Sequence, residues 1–175
     1  MLQGFLQILI IFPVLAIHLY PSAFGLSLFH YLGIALWAIG FVYETAADIQ
    51  LVKFRSDSTN HNKVLNTGLW RFSRHPNYFG NILLWIGIFL FCYSGGVPLW
   101  TIVGVLWITF LLFFVSGINL LEDSSNKKYG DNPEYRDYKN QTSIFIPLPN
   151  SLYCKIPESI RRTLLLDFRM YNKSQ

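Results

Sequence analysis

Every lysine and arginine in this chain falls into one of two places, and that partition constrains the fold more than any other feature. Five lie between Lys53 and Arg74 and nine between Lys127 and Lys173, and the ten acids follow the same division. Between and before these clusters run four apolar stretches: Leu2 to Tyr20, Ser27 to about Ala46, Tyr78 to Tyr93, and Val97 to Leu121. A chain of 175 residues that is 52% hydrophobic and only 14% charged is too apolar for an ordinary soluble domain. A membrane-crossing helix needs ~20 mostly apolar residues. The second and fourth stretches meet that length, the first is adequate, and the third requires helix in its flanks. The expected fold is therefore an all-α integral membrane protein of about four transmembrane helices.

Four crossings in sequence put the second connection and the C-terminal segment on one side. The positive-inside rule makes that side cytoplasmic, together with both termini. The N-terminal stretch has no Lys or Arg before it and no small-residue cleavage site after it, so it reads as a retained span rather than a signal peptide. The sequons Asn140-Gln-Thr and Asn172-Lys-Ser would face the cytosol and stay unmodified. Cys92 and Cys154 have no metal-ligand spacing and imply neither a disulfide framework nor a metal site. No charge lies at the midplane of any stretch, where transport sites sit, and nothing points to nucleic acid. The organisation expected is a first helix and turn over residues 1–26, a membrane domain over 27–149, and a basic cytoplasmic tail over 150–175. Within the tail, Leu164, Leu165 and Phe168 recur opposite Arg161, Arg162 and Arg169, so 160–170 reads as an amphipathic helix for the membrane surface.

The chemistry-bearing residues cluster on the charged side. At ~100° per residue, Glu44, Asp48 and Arg55 project within about 40° of one another if the second helix runs on past the bilayer. Carboxylates at the end of a membrane helix mark a functional site by default, unless they are merely solvated or paired with Lys53. The run from Gly68 to Gly80 holds Arg71, Ser73, Arg74 and His75 ahead of Pro76, which suits a first helical turn. Backbone N–H groups, the helix dipole and these cations together describe an anion site. Tyr78, Asn81 and Trp85 share the next helix face, and Trp70 and Trp85 also suit an interfacial aromatic belt. Ser116 and Asn119 suit interhelical hydrogen bonds. Glu122 either faces a ligand or pairs with Arg71 or Arg74.

These residues form a longer pattern: Glu44-x-x-x-Asp48 to Phe54-Arg55, Gly68-Leu-Trp-Arg-x-Ser-Arg-His-Pro-Asn-Tyr-Phe-Gly80, Ser116-Gly-Ile-x-x-Leu-Glu122, and Tyr135-x-x-Tyr138 to Ile146-Pro147. Over roughly residues 27–149 it resembles the DUF1295 family, which is similar to the C-terminal domain of steroid 5-alpha-reductases and more distantly to isoprenylcysteine carboxyl methyltransferases. The resemblance implies NADPH held at the cytoplasmic helix ends by Asp48, Arg55, Lys63, Arg74, His75, Asn77, Glu122, Tyr135 and Tyr138. It also implies hydride transfer to a carbon–carbon double bond conjugated with a carbonyl, in a lipophilic small molecule drawn from the membrane lipid. S-adenosylmethionine is the alternative cofactor under the methyltransferase resemblance. Catalysis would fall to Tyr78 and Asn81, but the family usually has a glutamate where this chain has Asn81. An amide cannot transfer a proton, and general acid catalysis is typically worth ~10²–10⁴-fold. An inactive relative that keeps the fold is the non-enzymatic alternative. Relatives carry additional N-terminal membrane helices, so the chain corresponds to part of their plan. The implied location is the endoplasmic reticulum in a eukaryote or the inner membrane in a bacterium.

Overall fold

The computed structural model describes residues 2–19 and 25–172, with side chains over 7–19 and 25–171. Most of the turn expected around Pro21 to Leu26, the second sequon beyond Asn172, and Lys173 lie outside the described residues. The elements are helical: α1 (Leu2–Ile17), α2 (Leu28–Ser56), α3 (Pro76–Ser94), α4 (Val103–Phe110), α5 (Ile118–Tyr129), α6 (Pro133–Gln141) and the short α7 (Asn150–Tyr153) and α8 (Glu158–Thr163). Three helical segments are long and apolar enough to cross a membrane: Leu28–Ser56, Pro76–Ser94 and Leu99–Tyr129. The first apolar stretch forms the shorter α1, 16 residues with Pro13 inside.

The closest helix pair is α2 with α3, and small residues make it so. Gly33, Gly40 and Ala47 recur every seventh residue on α2 and are buried. Gly80 and Gly87 have the same spacing on α3 and are also buried. A Cβ on Gly40 would lie 2.5 Å from the backbone nitrogen of Leu84, and one on Gly80 would lie 2.5 Å from that of Glu44. The antiparallel backbones therefore touch directly, the packing that small residues permit where lipid offers no hydrophobic drive to association. At the far end from the charges, Ser27, His30 and Ser94 form a hydrogen-bonded cluster that ties the start of α2 to the end of α3. Within it, His30 Nδ1 lies 3.1 Å from the Ser27 amide and 2.8 Å from Ser94 Oγ.

The fourth apolar stretch, expected as one span, lies in the segment Leu99–Tyr129, and the helix within that segment is locally broken. A turn of wider π pitch, Leu111–Val115, follows α4 and ends at Ser116, and Gly117 adopts φ −119° and ψ −111° before α5 begins. A Cβ on Gly117 would collide with the Leu112 carbonyl. Widening the helix leaves a carbonyl to satisfy, and the Phe113 oxygen accepts a hydrogen bond from the Tyr171 hydroxyl at 2.8 Å. The partner thus comes from the C-terminal segment.

That segment also departs from expectation. Residues 160–170 do not form one amphipathic helix: α8 stops at Thr163, and Leu166 turns the chain with φ +58°. Such a conformation costs a non-glycine residue ~1–2 kcal/mol. The turn directs Asp167 inward and packs Leu166, Phe168 and Tyr171 on a core of Ile82, Phe113, Ile118, Ile144 and Phe145. Of the apolar positions read from periodicity, Leu165 is buried and Phe168 packs on this core, whereas Leu164 is exposed.

The glycine contact gives a direct test. Gly80→Leu should force α2 and α3 apart and cost about 1–3 kcal/mol or more in overpacking. Thermal unfolding of the detergent-solubilised protein should show a lowered midpoint for this variant and none for Gly25→Ala, where an added Cβ meets nothing within 4 Å.

Candidate functional site

The Gly68–Gly80 run is fastened on both sides before it reaches α3. Gly68 adopts φ +60° against the Gln50 side chain, and Gln50 Oε1 accepts the Leu69 amide at 2.9 Å. Trp70, one of the two belt candidates, is buried and donates its indole N–H to the Ala47 carbonyl at 3.0 Å. Its role is to lock the motif onto α2. On the other side, the Arg74 amide donates to Ser143 at 2.8 Å and the Leu148 amide to Phe72 at 3.0 Å. Ser73, fully buried, donates to the Phe145 carbonyl at 2.8 Å and accepts the His75 amide at 3.1 Å. His75 precedes Pro76, the first residue of α3.

This anchoring delivers Arg74 and His75 into the protein. Arg74 Nη1 contacts Glu122 Oε2 at 2.6 Å, Arg74 Nη2 contacts Asp167 Oδ1 at 3.0 Å, and His75 Nε2 contacts Glu122 Oε1 at 2.8 Å. The four side chains come from the motif, α5 and the C-terminal segment, and all are at least nine-tenths buried. Burial works against the Arg74 charge, but Glu122 and Asp167 outweigh it and raise the guanidinium's pKa. The anion expected at the start of α3 is thus a carboxylate of the protein itself. A second layer surrounds the network. Tyr153 donates to Asp167, and Lys139 Nζ sits 3.6 Å from Glu122 while donating to Asn126 Oδ1 at 2.7 Å and the Tyr171 carbonyl at 2.9 Å. Burial lowers the Lys139 pKa, with Glu122 opposing. Burial also pushes the phenols of Tyr135, Tyr138 and Tyr153 well above the ordinary tyrosine range, and that of Tyr171 up to about 12.

Next to this network lies a cavity of about 430 Å³. Its lining includes Arg55, Lys63, Arg74, His75, Asn77, Glu122, Tyr135 and Tyr138, eight of the nine residues carried over as cofactor contacts. The ninth, Asp48, lies in an adjoining groove with Asn81, and it accepts a hydrogen bond from Asn77 Nδ2 at 3.0 Å. Tyr78 lines neither space; its ring stacks on His75 with centroids 5.7 Å apart. Two of the tyrosines already have partners. Tyr138 donates to the Trp70 carbonyl at 2.6 Å and Tyr135 to Asn126 Oδ1 at 2.9 Å.

The cations divide in the same way. Arg55 and Lys63 are exposed at the rim, and among the described residues no ion pair engages either. The loop that carries Lys63 is shaped by Asp57, which accepts from the Thr59 amide at 2.9 Å and from its hydroxyl at 2.8 Å. These bonds lower the Asp57 pKa. Arg74 Nε, His75 Nδ1 and Asn77 Oδ1, on residues of the cavity lining, are fully buried polar atoms that no described residue bonds. Exposed cations at the rim of a cavity suit an anionic ligand. Trp70, Tyr129 and Tyr135 add aromatic residues to the lining.

Over residues 1–142 the chain matches the profile of a family described as a protein of unknown function, DUF1295. The chain belongs to the DUF1295 family. It is 34% identical over 98 residues to an uncharacterised protein of Schizosaccharomyces pombe, covering 54% of this chain and 27% of that one. With the 3-oxo-5-alpha-steroid 4-dehydrogenase 1 of Rattus norvegicus it shares 29% identity over 115 residues, 66% of this chain and 40% of the relative. With the very-long-chain enoyl-CoA reductase of Dictyostelium discoideum it shares 33% over 79 residues, 40% of this chain and 26% of the relative. The chain thus spans between about a quarter and two-fifths of the length of these curated relatives. No solved structure matches it.

Sequence reasoning missed Asp167, Tyr153, Lys139 and Asn126. Asp167 had no signal: it is one acid within a basic stretch. Lys139 and Asn126 stood close to flagged residues, on the helix turns that face Glu122.

Removing the central cation tests the network. Arg74→Met leaves two buried carboxylates without it and should cost about 3–5 kcal/mol. The check is the unfolding midpoint in detergent, which Lys63→Met at the rim should leave within ~0.5 kcal/mol of the parent.

Proposed function

We propose that this chain is a membrane-embedded, NADPH-dependent reductase that saturates a carbon–carbon double bond conjugated with a carbonyl in a lipophilic substrate. The observation that carries the proposal is adjacency. A cavity rimmed by the exposed cations Arg55 and Lys63 abuts a groove on membrane helix α2, and the Asp48–Asn77 bond lies between them. A water-soluble dinucleotide and a bilayer-soluble substrate could meet only at such a boundary. The distant similarity to a steroid dehydrogenase and an enoyl-CoA reductase, whose names denote chemistry at carbon–carbon bonds, supports the same class.

The residues would divide the work. Arg55 and Lys63 would bind phosphate, because they are exposed and no close ion pair among the described residues engages them, whereas Arg74 is held by Glu122 and Asp167. His75 and Asn77 would form part of the wall against which the cofactor lies. The bound dinucleotide supplies a hydride, while the protein supplies orientation and polarisation. In this reading Tyr135, Tyr138, Glu122 and Arg74 shape the cavity and do not enter the chemistry. The proposal also takes α1 as a fourth crossing, with the charged end and both termini cytoplasmic, in the endoplasmic reticulum of a eukaryote or the inner membrane of a bacterium.

Binding to the purified chain in detergent tests the cofactor. NADPH should bind saturably, and Arg55→Ala and Lys63→Ala should each weaken it about tenfold, as expected for losing one charge-assisted contact. Saturable S-adenosylmethionine binding without NADPH binding would instead assign the chain to the methyltransferase class.

A further inference from the structure

The groove beside the cofactor cavity encloses about 870 Å³ along α2 and α3. Its walls are apolar, chiefly Phe41, Ile49, Leu84 and Trp85, and its lining belongs to two membrane-crossing helices. A carboxyl in such walls marks a functional site by default. Glu44 lies there, and it is not bare: Asn81 Nδ2 donates to Glu44 Oε1 at 2.9 Å. The other amide atom, Asn81 Oδ1, is buried with no partner among the described residues. One turn along, Asp48 and Asn77 repeat the carboxyl–amide pairing next to the cofactor cavity. The glycine contact sets the register of both pairs, because the backbone of Glu44 lies directly over Gly80.

This geometry divides the two oxygens of Glu44. The amide N–H of Asn81 goes to Oε1, the oxygen that serves as carbonyl when the group is a carboxylic acid. The hydroxyl then belongs on Oε2. Asn81 itself has no proton to transfer, and the ring of Tyr78 is stacked on His75 outside the groove. The remaining acid in the lining, Asp48, accepts from Asn77.

We infer that Glu44, oriented by Asn81, is the proton-donating carboxyl of the groove and gives a hydrogen bond from Oε2 to the carbonyl oxygen of a lipophilic enone lying between Leu84 and Trp85. The inference rests on the reductase reading above. In the reaction, the hydride that a bound dihydronicotinamide would supply would add to the β-carbon of the enone, the double-bond electrons would move toward oxygen, and that oxygen would take the proton of Glu44. The enol so formed returns its O–H proton to the Glu44 carboxylate while its α-carbon takes a proton from water. The sum is one hydride and one solvent proton added across the double bond, with the dinucleotide oxidised and Glu44 restored. Asn81 is a positioning residue in this scheme.

The test uses the full chain in lipid nanodiscs, a 3-oxo-4-ene steroid as probe and no cofactor, so that the readout is the absorption band of the bound enone. A hydrogen bond from an acid moves that band to longer wavelength. The wild type should show the shift and should lose affinity as pH rises, since an ionised carboxylate cannot donate. The other charged and polar groups facing Glu44 are Asp48 and Lys53 on α2 and Asn81 on α3. Glu44→Gln should bind the probe about tenfold more weakly and without pH dependence, whereas Glu44→Asp should retain the pH dependence. NADPH affinity measured on the same samples should be unchanged in both variants, which also reports that they are folded. An identical band and pH profile in wild type and Glu44→Gln, or no binding of the probe, would overturn the inference while leaving the cofactor reading intact. A Glu44-dependent band shift in a protein that binds no NADPH would support the groove assignment and sink the cofactor reading.

Discussion

Burying Arg74 costs several kcal/mol unless its charge is answered, and the fold answers it from two elements far apart in sequence. Glu122 reaches it from α5 and Asp167 from the C-terminal segment, and His75 completes the set by sharing Glu122. Each partner requires its own piece of backbone in place. Ser73 and the Ser143–Leu148 strand-like contact hold the motif, the break at Gly117 brings α5 to the network, and the left-handed turn at Leu166 sends Asp167 inward. The same C-terminal segment supplies the Tyr171 hydroxyl that satisfies the carbonyl freed in the widened helix. One ion network therefore joins the membrane helices to the segments that follow them, and its outer face forms the wall of the cavity.

The second constraint is the direct backbone contact of α2 and α3. Glycines at heptad spacing let the helices approach until Glu44 and Asp48 stand opposite Asn81 and Asn77. Larger residues would widen that gap and break both carboxyl–amide pairs. Packing and chemistry share one stripe: the residues that close the interface set the register of those that line the groove. Glu44 and Asp48 line the groove while Arg55, on the same face of α2, lines the neighbouring cavity.

Much of this was legible in the sequence, for physical reasons. Charge partition and apolar length located the membrane helices, because the cost of a charge in hydrocarbon leaves few other arrangements. The Gly68–Gly80 run pointed to the buried ion network, since Pro76 and the glycines fix backbone geometry locally. What stayed hidden depends on long-range contact. Trp70 reads as a belt residue until the Ala47 carbonyl is found beside it, and Arg74 reads as a phosphate ligand until Asp167, 93 residues on, is seen to pair with it. The tail's apolar positions were visible, but periodicity cannot say whether lipid or the protein core receives them. Glu44 and Asp48 were legible as a stripe; their amide partners were not.

The central claim is that the cavity at the charged helix ends is the dinucleotide site. Amide hydrogen exchange of the purified protein with and without NADP⁺ reads it without relying on turnover or on a substituted residue. The account predicts slowed exchange in the loop over residues 57–65 and around 124–138, the two rims of the cavity, with little change at Gly95–Val97 on the opposite end. Protection confined to that opposite end, or protection of the rims by S-adenosylmethionine and not by NADP⁺, would contradict it.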